Sequence, residues 1–179
     1  MTQQFLYSQF KETDFFQFFN LNEVGRERVA GNERISLKPG GFQEHIDIIL
    51  DISENLISEA RLYLDRIWIG DENSINSFAK DICKSFLAAL IPDALNQEFK
   101  ISLVQGIWNM RGRKDRVICL DKVILNWEDS NPQVKQFLEV IRGTKVSASI
   151  ELGILRIIME NLREKETGKE RLYIKLIWK

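Results

Sequence analysis

Two octapeptides in this chain nearly repeat each other. Arg61 to Trp68 reads RLYLDRIW and Arg171 to Trp178 reads RLYIKLIW, identical at five of eight positions. In the second copy Leu172, Ile174 and Leu176 alternate with Arg171, Tyr173 and Lys175. Successive side chains of a strand point to opposite faces, so this alternation predicts a half-buried strand. Only nine residues follow Glu170, too few for a good helix. The first copy fits the same pattern through Ala60, Leu62 and Leu64, although Leu56, Ala60, Tyr63, Leu64 and Ile67 also share a helical stripe. The echo decides for a strand, and a fold with this sheet-forming pair is constrained toward β-rich architecture.

The strand before it is read from Ile46, Ile48, Leu50 and Ile52, which alternate with His45, Asp47 and Asp51. Their β-branched density favours a hairpin over 43–69 with a turn at Ser53 to Asn55, against one long helix. Lys145 to Arg163 carries a similar ambiguity, and the alternation of Val146, Ala148, Ile150, Leu152 and Ile154 again favours a hairpin. A polar turn at 164–170 leads into the last strand.

Two segments have helical spacing. In Asn73 to Leu90 the residues Phe78, Ile82, Cys83, Phe86, Leu87 and Leu90 make one apolar face, capped by Asp71 or Asn73 and ended by Pro92. In Pro132 to Arg142, Asn131 caps the helix, proline takes the first position and Gly143 stops it. Each helix follows a tryptophan-ended apolar run, Trp68 or Trp127, with apolar residues at matching offsets. This suggests a β-β-α unit used twice, the second made of Phe99 to Trp108, Arg116 to Trp127 and the helix. A helix over Phe99 to Trp108, capped by Asp93, is the alternative. Residues 21–41 read as a loop with one short strand at Glu33 to Leu37.

The expected architecture is therefore α+β: an antiparallel sheet of hairpins packed against two amphipathic helices. Residues 1–30 form an aromatic N-terminal arm and residues 31–179 a single domain. A chain of 179 residues can bury roughly 70% of its unfolded surface.

Composition narrows function by exclusion. The net charge is −1, which gives no global field for nucleic acid or an anionic membrane. The start, MTQQFLYSQFKETDFF, has neither the basic opening nor the apolar core of a secretion signal. No apolar run reaches the roughly 18 to 20 residues of a helical membrane span. Cys83 and Cys119 lie in apolar patterns and read as buried thiols in a reducing cytoplasm. With one histidine and two distant cysteines there is no zinc signature. Asp47, Asp51 and Asp65 share a face of the hairpin, yet carboxylates on a strand face are ordinarily solvated. His45 has no nucleophile elbow beside it, and no phosphate-binding loop is present. No catalytic residue, metal or cofactor is expected.

Two stretches remain as candidate sites. The arm concentrates Phe5, Phe10, Phe15, Phe16, Phe18 and Phe19, rings that either dock on the body or meet a partner. Phe5, Phe10, Phe15, Phe16 and Phe19 are the candidate partner interface. The run Arg111, Gly112, Arg113, Lys114, Asp115, Arg116 sets four cations against one carboxylate, just after Trp108. Trp108, Arg111, Arg113, Lys114 and Arg116 are the candidate anion or single-stranded nucleic-acid site, cations meeting phosphates while the indole stacks. A solvated turn is the simpler account of the same residues. The sequence favours a non-enzymatic protein-interaction or regulatory domain, its ligand a protein partner or a second copy. The alternatives are a small-ligand binder or enzyme with a dispersed site, and an anion or nucleic-acid binder through 111–116.

Overall fold

The computed structural model describes residues 5–110 and 131–179. Among these residues seven strands form one antiparallel sheet, in the order β1-β2-β3-β4-β9-β8-β7. They are β1 (Asn22–Val29), β2 (Asn32–Lys38), β3 (Ile46–Ser53), β4 (Leu56–Asp65), β7 (Ser147–Leu152), β8 (Leu155–Arg163) and β9 (Glu170–Trp178). The small ribbon β5 (Gly70–Asp71) and β6 (Ser74–Ile75) stands apart. Helices α4 (Ser77–Leu90), α5 (Gln97–Trp108) and α6 (Pro132–Arg142) supply the second layer. The α+β architecture is as expected, with three long helices among the described residues rather than two. None of these helices is long and apolar enough to cross a membrane.

The two echoed octapeptides lie side by side. β4 pairs antiparallel with β9, so that Tyr63 faces Tyr173, Leu62 faces Ile174 and Leu64 faces Leu172. The tyrosine rings stand 4.9 Å apart and the repeat is a local pseudo-twofold about them. Leu62, Leu64, Leu172, Ile174 and Leu176 are fully buried on the helix side of the sheet. That inner face continues through Ile46, Ile48 and Leu50 of β3 and Ile157 and Met159 of β8. It meets Ile82, Phe86 and Leu90 of α4, Leu103 and Ile107 of α5, and Phe137 and Ile141 of α6. The result is one core between two layers.

The echo fails as a strand in one place. Arg66–Ile69 is a single helical turn, α3, not the end of β4. Inward positions along β4 are even-numbered, so Arg66 falls where Leu176 sits in the partner octapeptide. An arginine has no place on an apolar face without acceptors. The chain turns instead, and the guanidinium finds them at the end of α6.

Other expectations also need correction. Residues 21–41 form the β1–β2 hairpin rather than a loop with one short strand. Its edge strand β1 falls within residues 1–30. The helix expected from Asn73 begins at Ser77, because Asn76 caps it by accepting from the Phe78 and Ala79 amides at 2.8 and 3.2 Å. Phe99 to Trp108 is helical, so the second β-β-α unit lacks its first strand. The cap there is Asn96, accepting from Phe99 N at 3.0 Å, not Asp93. Arg116 to Trp127 lies outside the described residues. The hairpins over 46–65 and 147–163 form as the alternation predicts. Glu54 and Asn55, both at positive φ, make the tight β3–β4 turn. α6 has the predicted bounds, with Asn131 capping its start and Gly143 left-handed at its end.

The arm docks on its own body. It holds helices α1 (Tyr7–Lys11) and α2 (Asp14–Phe18), both short. Its entry is fixed by two backbone bonds, Ile57 N to Phe5 O at 2.8 Å and Tyr7 N to Asn55 O at 3.1 Å. Phe15 then meets Phe86 edge-on at 5.7 Å, and Phe19 meets Phe78 at 5.5 Å.

Candidate functional site

α4 has two working faces. The first enters the core. The second carries Asp81, Lys84, Ser85, Ala88 and Ala89 at helical spacing. The arm crosses α4 on one side and the end of α5 approaches on the other. Between them the small side chains of Ser85, Ala88 and Ala89 leave a groove of about 1150 Å³. Two aromatic rings stand at its rim, Phe18 with 78% of its surface exposed and Trp108 with 59%. Lys84 Nζ sits 4.0 Å from the centre of the Trp108 ring and 3.9 Å from Asp81 Oδ1. Lys80 Nζ donates to Met110 O at 2.7 Å, which ties the end of α5 to α4. The indole is thus held in place while one of its faces stays in water.

The predicted aromatic residues divide between core and surface. Phe10, Phe15 and Phe19 are buried in the core of their own chain, and Phe5 and Phe16 are half-buried against it. Of the five, Phe15 also lines the groove. Phe18 is the ring left in water. Trp108, grouped in the sequence with the basic run, shares the groove with the arm. Arg111, Arg113, Lys114 and Arg116 lie outside the described residues, as does Cys119. The sequence signal for this groove was the small-residue stripe of α4, visible only once the helix had been assigned and its core face set aside. Cys83 is buried in that core face, where burial pushes its thiol up to about 12.

A second, polar constellation sits at one end of the open sheet face. Asp65 ends β4 and is buried. Its Oδ2 forms an ion pair with Lys169 Nζ at 2.9 Å and lies 3.0 Å from His45 Nδ1. Its Oδ1 faces Arg171 Nε at 3.4 Å without a well-aligned hydrogen bond. Arg171 also binds Asp47, and Lys38 Nζ reaches Asp47 at 2.5 Å. Burial works to raise the Asp47 carboxyl, but hydrogen bonds from Lys38 and Arg171 outweigh it and hold the group below the usual carboxylate range. Asp51 is clasped by Arg34 at 2.8 and 3.2 Å and by Arg61. The three aspartates of the hairpin are therefore matched by cations. No group of three His, Cys, Asp or Glu side chains among the described residues converges as a metal cluster.

His45 is held in one orientation by Trp68 and Asp65. Its ring stacks on Trp68 at 5.4 Å, nearly parallel. Its Nδ1 faces Asp65 Oδ2 at 3.0 Å, and its Nε2 lies 3.5 Å from Glu44 Oε1. No hydroxyl or thiol among the described residues hydrogen-bonds to the ring, so the pair is an orienting element without a nucleophile. Neither a protein-family model, nor a curated protein, nor a solved structure matches this chain.

Proposed function

We propose that this protein is an interaction domain that docks an apolar segment of a partner protein in the groove between α2, α4 and Trp108. The observation that supports this most is the pair of exposed rings, Phe18 and Trp108, flanking a floor of serine and alanine. Small residues let a partner backbone come close, and aromatic rings at the sides give most of the contact energy of such interfaces. A short amphipathic helix suits a groove of this shape. Its apolar ridge lies on Ala88 and Ala89, with its polar face outward.

The test is site-specific photo-crosslinking in cells. A photoreactive phenylalanine analogue replaces Phe18 or Trp108, and a control replaces Glu166 in the polar turn. The expected result is a discrete protein adduct from both groove positions, absent from the control. The adduct disappears when Ala89→Arg fills the groove. Adducts equal at all three positions, or unaffected by Ala89→Arg, overturn the reading. The rival reading, an enzyme or small-ligand site of dispersed residues, draws on the His45–Asp65 pair. It expects His45→Gln to abolish ligand binding or turnover while leaving groove crosslinks intact.

A further inference from the structure

The two edges of the sheet differ in how they are protected. β1 is broken by a register shift between Glu23 and Gly25 and carries Arg26, Glu27 and Arg28 in water. Bulges and charges of this kind keep an edge from pairing with another chain. β7 has no bulge and a single charge. Its sequence is SASIEL, its register with β8 is unbroken, and the charge is Glu151.

The backbone of β7 is oriented for pairing. Val146 O accepts from Asn161 N at 2.8 Å, so residues 146, 148, 150 and 152 turn their polar groups toward β8. By alternation Ser147, Ser149 and Glu151 turn their N–H and C=O outward. Among the described residues no strand lies beyond them. The core also thins here. Ala148, Ile150 and Leu152 keep 6%, 9% and 5% of their surface, while their partners in β8, Met159, Ile157 and Leu155, keep none. Val146, next to the strand, is 73% exposed. An open cleft of about 480 Å³ lies across β7 and β8, lined by Lys145, Ser147, Ser149, Arg156, Ile158 and Glu160 among others.

We propose that β7 pairs antiparallel with β7 of a second copy of this chain, centred on Ser149, so that two sheets become one. This register follows from the residues. Ser149 meets its own counterpart, and Ser147 meets Glu151 of the second copy, so no like charges oppose each other. All three outward-facing residues enter hydrogen-bonded pairs. Val146 is brought opposite Leu152 of the second copy, which covers the exposed valine. A strand of unrelated sequence on this edge would gain the backbone bonds but not this self-matching. The surface involved is distinct from the α2–α4 groove.

The test is the mass of the full chain in solution, by sedimentation equilibrium across low-micromolar to sub-millimolar concentrations. The expected species is a dimer of the 20.9 kDa chain. Two variants separate edge pairing from other contacts. Ser149→Pro removes an outward N–H without touching the β8 ladder, and Val146→Lys puts a charge where the second copy's Leu152 would lie. Each is expected to halve the mass while circular dichroism retains the native spectrum. If Ser149→Pro unfolds the protein, Val146→Lys alone decides. A wild-type chain that stays monomeric throughout overturns the proposal. So does a dimer that survives Val146→Lys, or a monomer that acquires a strand from a different protein.

Discussion

Arg66 is the residue on which two parts of the molecule meet. Its guanidinium donates to Val140 O at 3.3 Å, Ile141 O at 2.5 Å and Gly70 O at 2.8 Å, and to Asn161 Oδ1 at 3.0 Å. No carboxylate is among these acceptors. The counter-charge is the carbonyl end of α6, where the helix dipole is negative. Desolvation holds the guanidinium below its ordinary pKa, which is the signature of a cation buried among dipoles. Asn161 completes the arrangement by donating to Val140 O and Lys145 O at 2.8 and 2.9 Å. Arg66→Met is expected to lower stability by about 2 to 4 kcal/mol, because Ile141 O and Gly70 O lose the guanidinium as a donor, while Val140 O keeps Asn161 and the Gly143 amide. Arg66→Lys should recover little, since an ammonium cannot reach four acceptors from one planar fork. Denaturant melts of both variants check this. A loss for Arg66→Met below about 1 kcal/mol would show that water replaces the guanidinium without penalty.

At the scale of elements, the arm and the open sheet face make different demands on stability. The arm buries Phe10, Phe15 and Phe19, each contributing roughly 2 to 3 kcal/mol by transfer from water. Removing residues 1 to 20 should lower the melting temperature by roughly 10 °C or more and expose a dye-binding apolar surface around Phe86. An unchanged melting temperature would mean that the arm is not part of the core. The open face is held by ion pairs instead, and pH reads them. The folded pKa of Asp47 is depressed, so its stabilising contribution is present above the ordinary carboxylate range. It is lost as pH falls through the depressed value. Asp47→Asn should therefore cost on the order of 1 kcal/mol at neutral pH after solvent screening, and nothing once the wild-type carboxylate is protonated. A penalty that persists unchanged in acid would assign the effect to packing. These elements were legible to different degrees. β3 alternated cleanly but competed with one long helix over the same stretch, whereas the strand β9, with clean alternation and too few residues for a helix, and helices with a cap and a single apolar face, such as α4 and α6, declared themselves. α5 did not, because Phe99, Ile101 and Leu103 alternate while Phe99, Leu103 and Ile107 follow a helix. What decides is that Ile101 faces solvent and Asn96 caps the chain. The groove was less legible still, since six strands and the helices α3, α4 and α5 separate Phe18 from Trp108 at the end of α5. Only the packing of the arm on α4 brings them to one rim.

For the molecule as a whole, the most consequential fact is the position of β9. It is the latest strand in sequence order and lies between β4 and β8, in the interior of the sheet. β4 and β9 are roughly a hundred residues apart in sequence, so their pairing is a late and entropically costly step. Without β9 the β1–β4 meander and the β7–β8 hairpin share no strand-to-strand contact. Leu172, Ile174 and Leu176 would also leave their positions against the helices. The resemblance of the two octapeptides then has a simple structural meaning. Each supplies half of the seam that joins the sheet, with leucine or isoleucine turned to the helices and tyrosine to the open face. Removing residues 170–179 should accordingly abolish the cooperative thermal transition rather than merely shift it. A synthetic peptide with the sequence of 170–179 should restore that transition when added in excess, because the vacated site is bordered by two strands with free backbone groups. Scanning calorimetry of the truncated chain, with and without the peptide, is the measurement. A sharp transition in the truncated chain alone would show that β4 and β8 can close the sheet directly, and the seam would then be dispensable.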